Sequence, residues 1–202
     1  MADFDSRAKS WDEVPGRIER ANAVALAIRE QVRLSRTMTA LEYGCGTGLL
    51  SFALQADLGA ITLADSSLGM LEVLREKITQ SEVKHMTPLK LDLAIDPIPA
   101  ERFELVYMLM TLHHIPDTAR MLGCFYTLLQ PGGVVCICDL DKEDGSFHAH
   151  ESGFDGHNGF ERKELGIELE RAGFSHIRFS TCYTLMKDDR PYPLFLAVAE
   201  KK

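Results

Sequence analysis

Leu41-Glu42-Tyr43-Gly44-Cys45-Gly46-Thr47-Gly48 is the stretch whose reading decides the fold. An apolar run over 38–43 leads into it, and a helical pattern over 48–57 leaves it. Glycines there permit a tight strand-to-helix turn and let backbone approach a ligand with no Cβ between them. The N–H groups at the start of the next helix favour a carboxylate or phosphate. Taken alone, such a loop has a plain tight turn as its competing and weaker reading.

Outward from it, apolar runs at 60–64, 85–91, 103–110 and 133–139 alternate with helical patterns near 68–79 and 117–129. Strand–helix alternation predicts a parallel sheet with helices on both faces. Such sheets bind ligands at the carboxyl ends of their central strands. Upstream, 15–35 predicts a helix, with Pro15 in its first turn and Ile18, Ala21, Val24, Ala25 and Ile28 at helical spacing. Downstream, 140–160 is a polar loop rich in Asp, Gly and His, long enough to be functional or mobile. A helix over 161–172 is ended by Gly173, and strands at 174–183 and 193–200 flank the charged turn 187–190. The expected architecture is one α/β domain spanning 1–202. Its doubly wound, Rossmann-like sheet has about seven strands, mostly parallel with a C-terminal antiparallel hairpin. The parts are a lid and helix (1–36), a core (38–139), a loop (140–160) and a C-terminal helix and hairpin (161–202).

Composition narrows the function. The 202 residues are 46% hydrophobic and 26% charged, ordinary for a globular domain. No apolar run approaches the roughly 20 residues that span a membrane. The polar start, Met1 to Trp11, has no signal-peptide stretch, so a cytoplasmic protein is expected. A formal charge of −8 repels phosphate backbones and argues against nucleic acid as a partner. Arg17, Arg20, Arg29, Arg33 and Arg36 are interleaved with Glu13, Glu19 and Glu30 and predict a solvated helix face. The odd count of 5 cysteines argues against a disulfide framework. Cys136 and Cys138 share a strand face and suit small core residues.

Further motifs follow in order. A dinucleotide loop reads G-x-G-x-x-G, but its last glycine would fall where this chain has Leu49. Gly48 gives G-x-G-x-G instead, with Glu42 upstream. Asp65 ends the second run and could accept two hydrogen bonds from a ribose diol, although it could also cap the following helix. Asp92 ends the third, in Leu91-Asp92-Leu93. The fourth reads Phe103-Glu104-Leu105-Val106 and leads to Thr111-Leu112-His113-His114. Gln130-Pro131-Gly132-Gly133 precedes the fifth. Together these motifs resemble the class I S-adenosylmethionine-dependent methyltransferases of small-molecule type, with Glu104 where Asp is usual. The Asn/Asp-Pro-Pro-Tyr and Pro-Cys signatures of nucleic-acid methyltransferases are absent.

That resemblance implies S-adenosyl-L-methionine as cofactor and S-adenosyl-L-homocysteine as product. It implies cofactor contacts from Glu42, Gly44, Cys45, Gly46 and Gly48 in the loop, and from Asp65 and Ser66 after the second strand. Asp92, Leu93 and Met108 complete the set, Asp92 accepting from the adenine amine. The acceptor is expected to be a small molecule. His113 and His114, at the carboxyl edge with pKa values near working pH, are the candidate catalytic bases. Packing or capping of the next helix is the plainer reading for each. Phe4 and Trp11 resemble an aromatic lid, able to cover a sulfonium by cation–π contact. Phe147 and His148, in a loop that runs through Glu151 to His157, complete the expected substrate lid. The irregular spacing of those histidines argues against a metal site, and no metal is expected. A non-catalytic adenosyl-binding protein and an NAD(P)-dependent oxidoreductase are the competing readings.

Overall fold

A computed structural model describes residues 4–150 and 153–202. Among them seven strands form one sheet in the order β3-β2-β1-β4-β5-β7-β6. The first five are β1 (Ala40–Tyr43), β2 (Ile61–Asp65), β3 (Met86–Lys90), β4 (Phe103–Leu109) and β5 (Leu129–Leu140). They pair in parallel, and β1 is flanked by β2 and β4. Strand order reverses between β1 and β4, which opens a crevice at their carboxyl ends. The C-terminal β6 (Phe174–Lys187) and β7 (Arg190–Lys201) form the expected hairpin. β7 inserts antiparallel against β5 and leaves β6 at the edge. Its turn uses Asp188 and Asp189, both left-handed at φ 50 and 60, a conformation that Asp tolerates better than most residues.

Helices cover both faces. On one, α2 (Arg17–Gln31), α3 (Leu49–Leu54) and α4 (Leu68–Gln80) bury Val24, Ile28, Leu50, Leu54, Leu71 and Leu74 against the sheet. On the other, α5 (Thr118–Leu128) and α6 (Arg162–Arg171) bury Leu122, Phe125, Leu165 and Leu169. Cys136 and Cys138 fall in the first cluster as small core residues. The arm begins with α1 (Phe4–Arg7) and continues as a 3₁₀ turn over Ala8–Glu13.

Three local expectations change. Pro15 lies outside α2, because Gly16 at φ 81 turns the chain into the helix. The helix buries Ala21, Val24, Ala25 and Ile28, while Ile18 is exposed. The arginines do not share one solvated face: the Arg17 guanidinium lies 3.5 Å over the Trp11 ring, and Arg20 is half-buried. β5 starts at Leu129, upstream of the Pro-Gly-Gly turn, and absorbs that turn as a register shift opposite Phe103 and Leu105.

Candidate functional site

The glycine loop is built by β2. The N–H groups of Gly44 and Cys45 both donate to the Ala64 carbonyl, at 2.8 and 3.0 Å. Gly44, Gly46 and Gly48 are all left-handed, at φ 68, 53 and 80. A Cβ on Gly44 would strike the Thr111 side chain, and one on Gly48 would lie 2.7 Å from Leu74 Cδ1. Sequence here therefore answers to close approach as well as to backbone conformation.

Asp65 closes the loop from below. Its carboxylate accepts from Gly46 N at 2.7 Å and from Ser67 N at 2.8 Å. Burial pushes its pKa up, only partly offset by those N–H donors. Capping of α4 falls to Ser67, whose hydroxyl accepts from Met70 N at 3.1 Å, so Asp65 is not the cap. Ser66 is exposed beside it, and Asp92 is half-buried at the end of the neighbouring strand. Two carboxylates thus sit at successive strand ends.

Other loop-side candidates are more enclosed. Glu42 is 2% exposed and accepts from Ser51 Oγ and, at 3.2 Å, from Ser51 N. The Tyr107 hydroxyl joins Ser51 Oγ at 2.6 Å. Burial pushes the Glu42 carboxyl up to about 8, against the Ser51 hydrogen bonds. An N–H group expected to await an anion at the helix start therefore serves Glu42 instead. Cys45, Leu93 and Met108 are buried, and Leu93 N donates to the Tyr43 hydroxyl at 3.0 Å. Side chains of Leu93 and Met108 pack in the core under α5.

The arm lies across the loop. Asp12 takes Thr47 Oγ1 at 2.5 Å and Lys77 Nζ at 2.6 Å, while Asp5 takes Gly69 N at 2.9 Å. These aspartates were not singled out from sequence, since acids in a polar terminus carry no pattern. They place Trp11 so that a Cβ on Gly46 would lie 3.8 Å from its Nε1. Phe4 stands edge-on to Trp11 at 5.9 Å and to His114 at 5.3 Å between ring centroids.

At that far end the structure gathers three histidines. His113 is 1% exposed, and its Nδ1 lies 2.6 Å from Asp139 Oδ1. Its backbone N–H donates to Asp139 Oδ2 at 3.2 Å. Burial works to raise the Asp139 pKa, but attraction to His113 and the hydrogen bonds from His113 and Leu140 outweigh it and hold the carboxyl low. His114 is half-buried, and burial, then repulsion from His113 and His148, lowers its pKa to about 3. Neither caps α5; Asp117 does, accepting from Arg120 N at 2.9 Å. His148 is buried and stacks on Phe154 at 3.8 Å and 11°. The loop is held by His157 N donating to the His113 carbonyl at 2.7 Å. A Cβ on Gly156 would strike that same carbonyl. Phe147 is buried against Tyr192, at 5.1 Å, rather than facing an open pocket. Glu151 of the lid loop lies outside the described residues. A cavity of about 310 Å³ lies further out, between 141–146 and 190–193, away from the glycine loop.

Comparison with known proteins agrees with this geometry. Residues 40–133 match the family described as a methyltransferase domain. The ubiquinone biosynthesis O-methyltransferase of Coxiella burnetii is 29% identical over 145 residues. That alignment covers 70% of this chain and 62% of the relative, so the chain spans less than two thirds of that protein. The demethylmenaquinone methyltransferase of Symbiobacterium thermophilum is 36% identical over 111 residues, 53% of this chain and 44% of that one. A SAM-dependent methyltransferase from Aquifex aeolicus has the same fold, with a TM-score of 0.73, 21% identity and 98% of both chains covered.

The fold and motif order define a Rossmann-like methyltransferase domain. Residues 40–133 match a methyltransferase domain, and the fold is shared with a SAM-dependent methyltransferase, so S-adenosylmethionine is the cofactor to be fitted. The residues present fit that cofactor: a cradle of left-handed glycines borders Trp11, and acids end β2 and β3. Among the described residues, no helix is long and apolar enough to cross a membrane.

Proposed function

We propose that this chain transfers the methyl group of S-adenosylmethionine to a small-molecule acceptor in the cytosol. The observation that carries the reading is the span of the arm, with Trp11 beside Gly46 and Phe4 against His114. One segment thereby touches both the cofactor end and the histidine end of the carboxyl edge. Gly44, Gly46 and Gly48 let the backbone approach the cofactor; Asp65 and Asp92 take its ribose and adenine; Glu42, Cys45, Ser66, Leu93 and Met108 shape the cradle. Cys45, Cys124, Cys136, Cys138 and Cys182 are all free thiols, which suits a reducing compartment.

Bound cofactor supplies a methyl group already activated on a sulfonium. The protein's part is then alignment and exclusion of water. Trp11 and Phe4 close over the loop, and their ring faces favour a cation. His113 and His114 are the proposed catalytic residues. Asp139 holds Nδ1 of His113, leaving its other ring nitrogen for the acceptor side. A lone pair there would take the acceptor's proton, the role of a general base. His148 and Phe154 flank His114 on the loop side, while Phe147 supports His148 from behind. The relatives are named for ubiquinone biosynthesis and for demethylmenaquinone, so hydroxylated aromatics lead the acceptor set.

The test is release of S-adenosylhomocysteine from S-adenosylmethionine across small hydroxyl, thiol, amine and activated-carbon acceptors. Acceptor-dependent release with at least one small molecule is expected. A folded protein that binds the cofactor yet turns over with none of them would be a non-catalytic adenosyl-binding protein.

A further inference from the structure

His113 and His114 lie in the 3₁₀ turn Leu112–His114 that follows β4, whereas His148 belongs to the loop after β5, and only folding brings the three together. One ring nitrogen from each lies within 4.8 Å of the others. Ring centroids are 4.1 Å apart for His113–His114, 5.1 Å for His113–His148 and 5.4 Å for His114–His148. Imidazole ligands to zinc bind at about 2.0–2.1 Å. Small side-chain rotations bring such a set onto one ion, and His114 is the half-buried member of the three.

We propose that His113, His114 and His148 bind one divalent late first-row metal ion, zinc first among them, with a fourth position open to the acceptor. Three imidazoles plus one open position is a ligand set that zinc uses when it acts on a bound oxygen. The surroundings match what such a site needs. A metal-binding histidine commonly gives its other ring nitrogen to a carboxylate, which fixes the ring and raises its basicity. Asp139 does this to His113 at 2.6 Å, with both side chains sealed from solvent. His148 is oriented by its stack on Phe154. The loop carrying it is tied to the His113 carbonyl through His157 N. Phe4 of the arm meets His114, so the arm borders the proposed site.

The use of the ion rests on the methyltransferase reading; its binding does not. An acceptor hydroxyl or thiol placed on the ion gives its proton to water. The oxygen or sulfur lone pair then attacks the sulfonium methyl, and the carbon–sulfur bond breaks with its electron pair kept by the departing S-adenosylhomocysteine. The inference therefore selects hydroxyl- or thiol-bearing acceptors.

The experiment is a titration of the untagged, chelator-stripped chain with Zn²⁺ by calorimetry, and with Co²⁺ by visible absorption, in the absence of cofactor. One equivalent is expected, with the intense d–d bands of four- or five-coordinate cobalt. Asp139→Asn should weaken binding about 10–100-fold. His148→Ala and His148→Phe, the second keeping a ring against Phe154, should weaken it more than about 100-fold. His150→Ala, on an exposed neighbour, should leave it unchanged. Lack of stoichiometric binding by the parent chain overturns the site. So does unchanged affinity in either folded His148 variant. Metal binding without methyl transfer would keep the site and sink the catalytic reading, whereas methyl transfer indifferent to metal would keep the methyltransferase reading and overturn the ion's catalytic use.

Discussion

His113 Nδ1 sits 2.6 Å from Asp139 Oδ1, joining the residues that follow β4 to the end of β5 in a fully buried pair. Parallel pairing makes this contact: Met108 lies opposite Ile137 and Leu109 opposite Cys138, so the two strands finish side by side. Whatever the other His113 nitrogen holds, its direction is set by Asp139. Asp139→Asn should lower kcat by about 10–100-fold while cofactor affinity stays within about twofold. Steady-state kinetics with calorimetry checks this; unchanged kcat would reduce the pair to packing.

Asp65 is the cofactor's proposed ribose acceptor. Asp65→Ala should weaken S-adenosylhomocysteine binding by about 1–3 kcal/mol, the cost of losing a charged acceptor. Because Asp65 also holds Gly46 N and Ser67 N, Asp65→Asn is the second variant, able to keep one of those contacts. Calorimetric affinity unchanged in both would remove the ribose role.

Removal of residues 1–12 takes away Phe4, Trp11 and the Asp12 anchor on Thr47 and Lys77. The core sheet should remain folded and should still bind cofactor, while kcat/KM for the acceptor collapses. Intact acceptor turnover would make the arm mere packing and place the acceptor elsewhere.

Gly48 combines φ 80 with a Leu74 methyl 2.7 Å from where a Cβ would go. Gly48→Ala should cost about 1–3 kcal/mol from the strained backbone conformation, before the contact is relieved. Urea unfolding measures it, and a loss below about 0.5 kcal/mol would contradict the geometry.

Glu42 gives a pH signature. In the folded chain it keeps its proton up to about 8, whereas unfolded it releases that proton near 4.3 or so, on the order of a free glutamate. Between those values the folded state binds more protons, so stability falls as pH rises and levels off above the upper value. The slope is at most about 1.4 kcal/mol per pH unit. Glu42→Gln should flatten it in urea titrations across that window; an identical slope in the variant would deny Glu42 its proton.

Much of this was legible in the sequence because it was written in local signals. Apolar runs marked β1 to β5, and Gly44, Asp65 and Asp92 fell at strand ends as their motifs required. Gly16, not Pro15, starts α2, since the helical spacing continued upstream through Ile18 without revealing which side the helix would bury. The histidine cluster was not legible. His148 reads as one more residue of a polar loop, and its place depends on His157 returning to His113. Asp139 did carry a signal: an acid closing a buried apolar strand next to the strand that ends before His113 needs a partner. Sequence spacing alone argued against a metal, and the proposed site departs from that expectation because its ligands converge from two strand ends.

The loop from Gly44 to Gly48, with Asp65, is the proposed seat of S-adenosylmethionine. Calorimetric titration of the chain with S-adenosylhomocysteine, and in parallel with NAD and NADP, tests it most directly. One saturable site for S-adenosylhomocysteine is expected, with no heat of binding from either dinucleotide. Saturable binding of a dinucleotide, with none of S-adenosylhomocysteine, would contradict it.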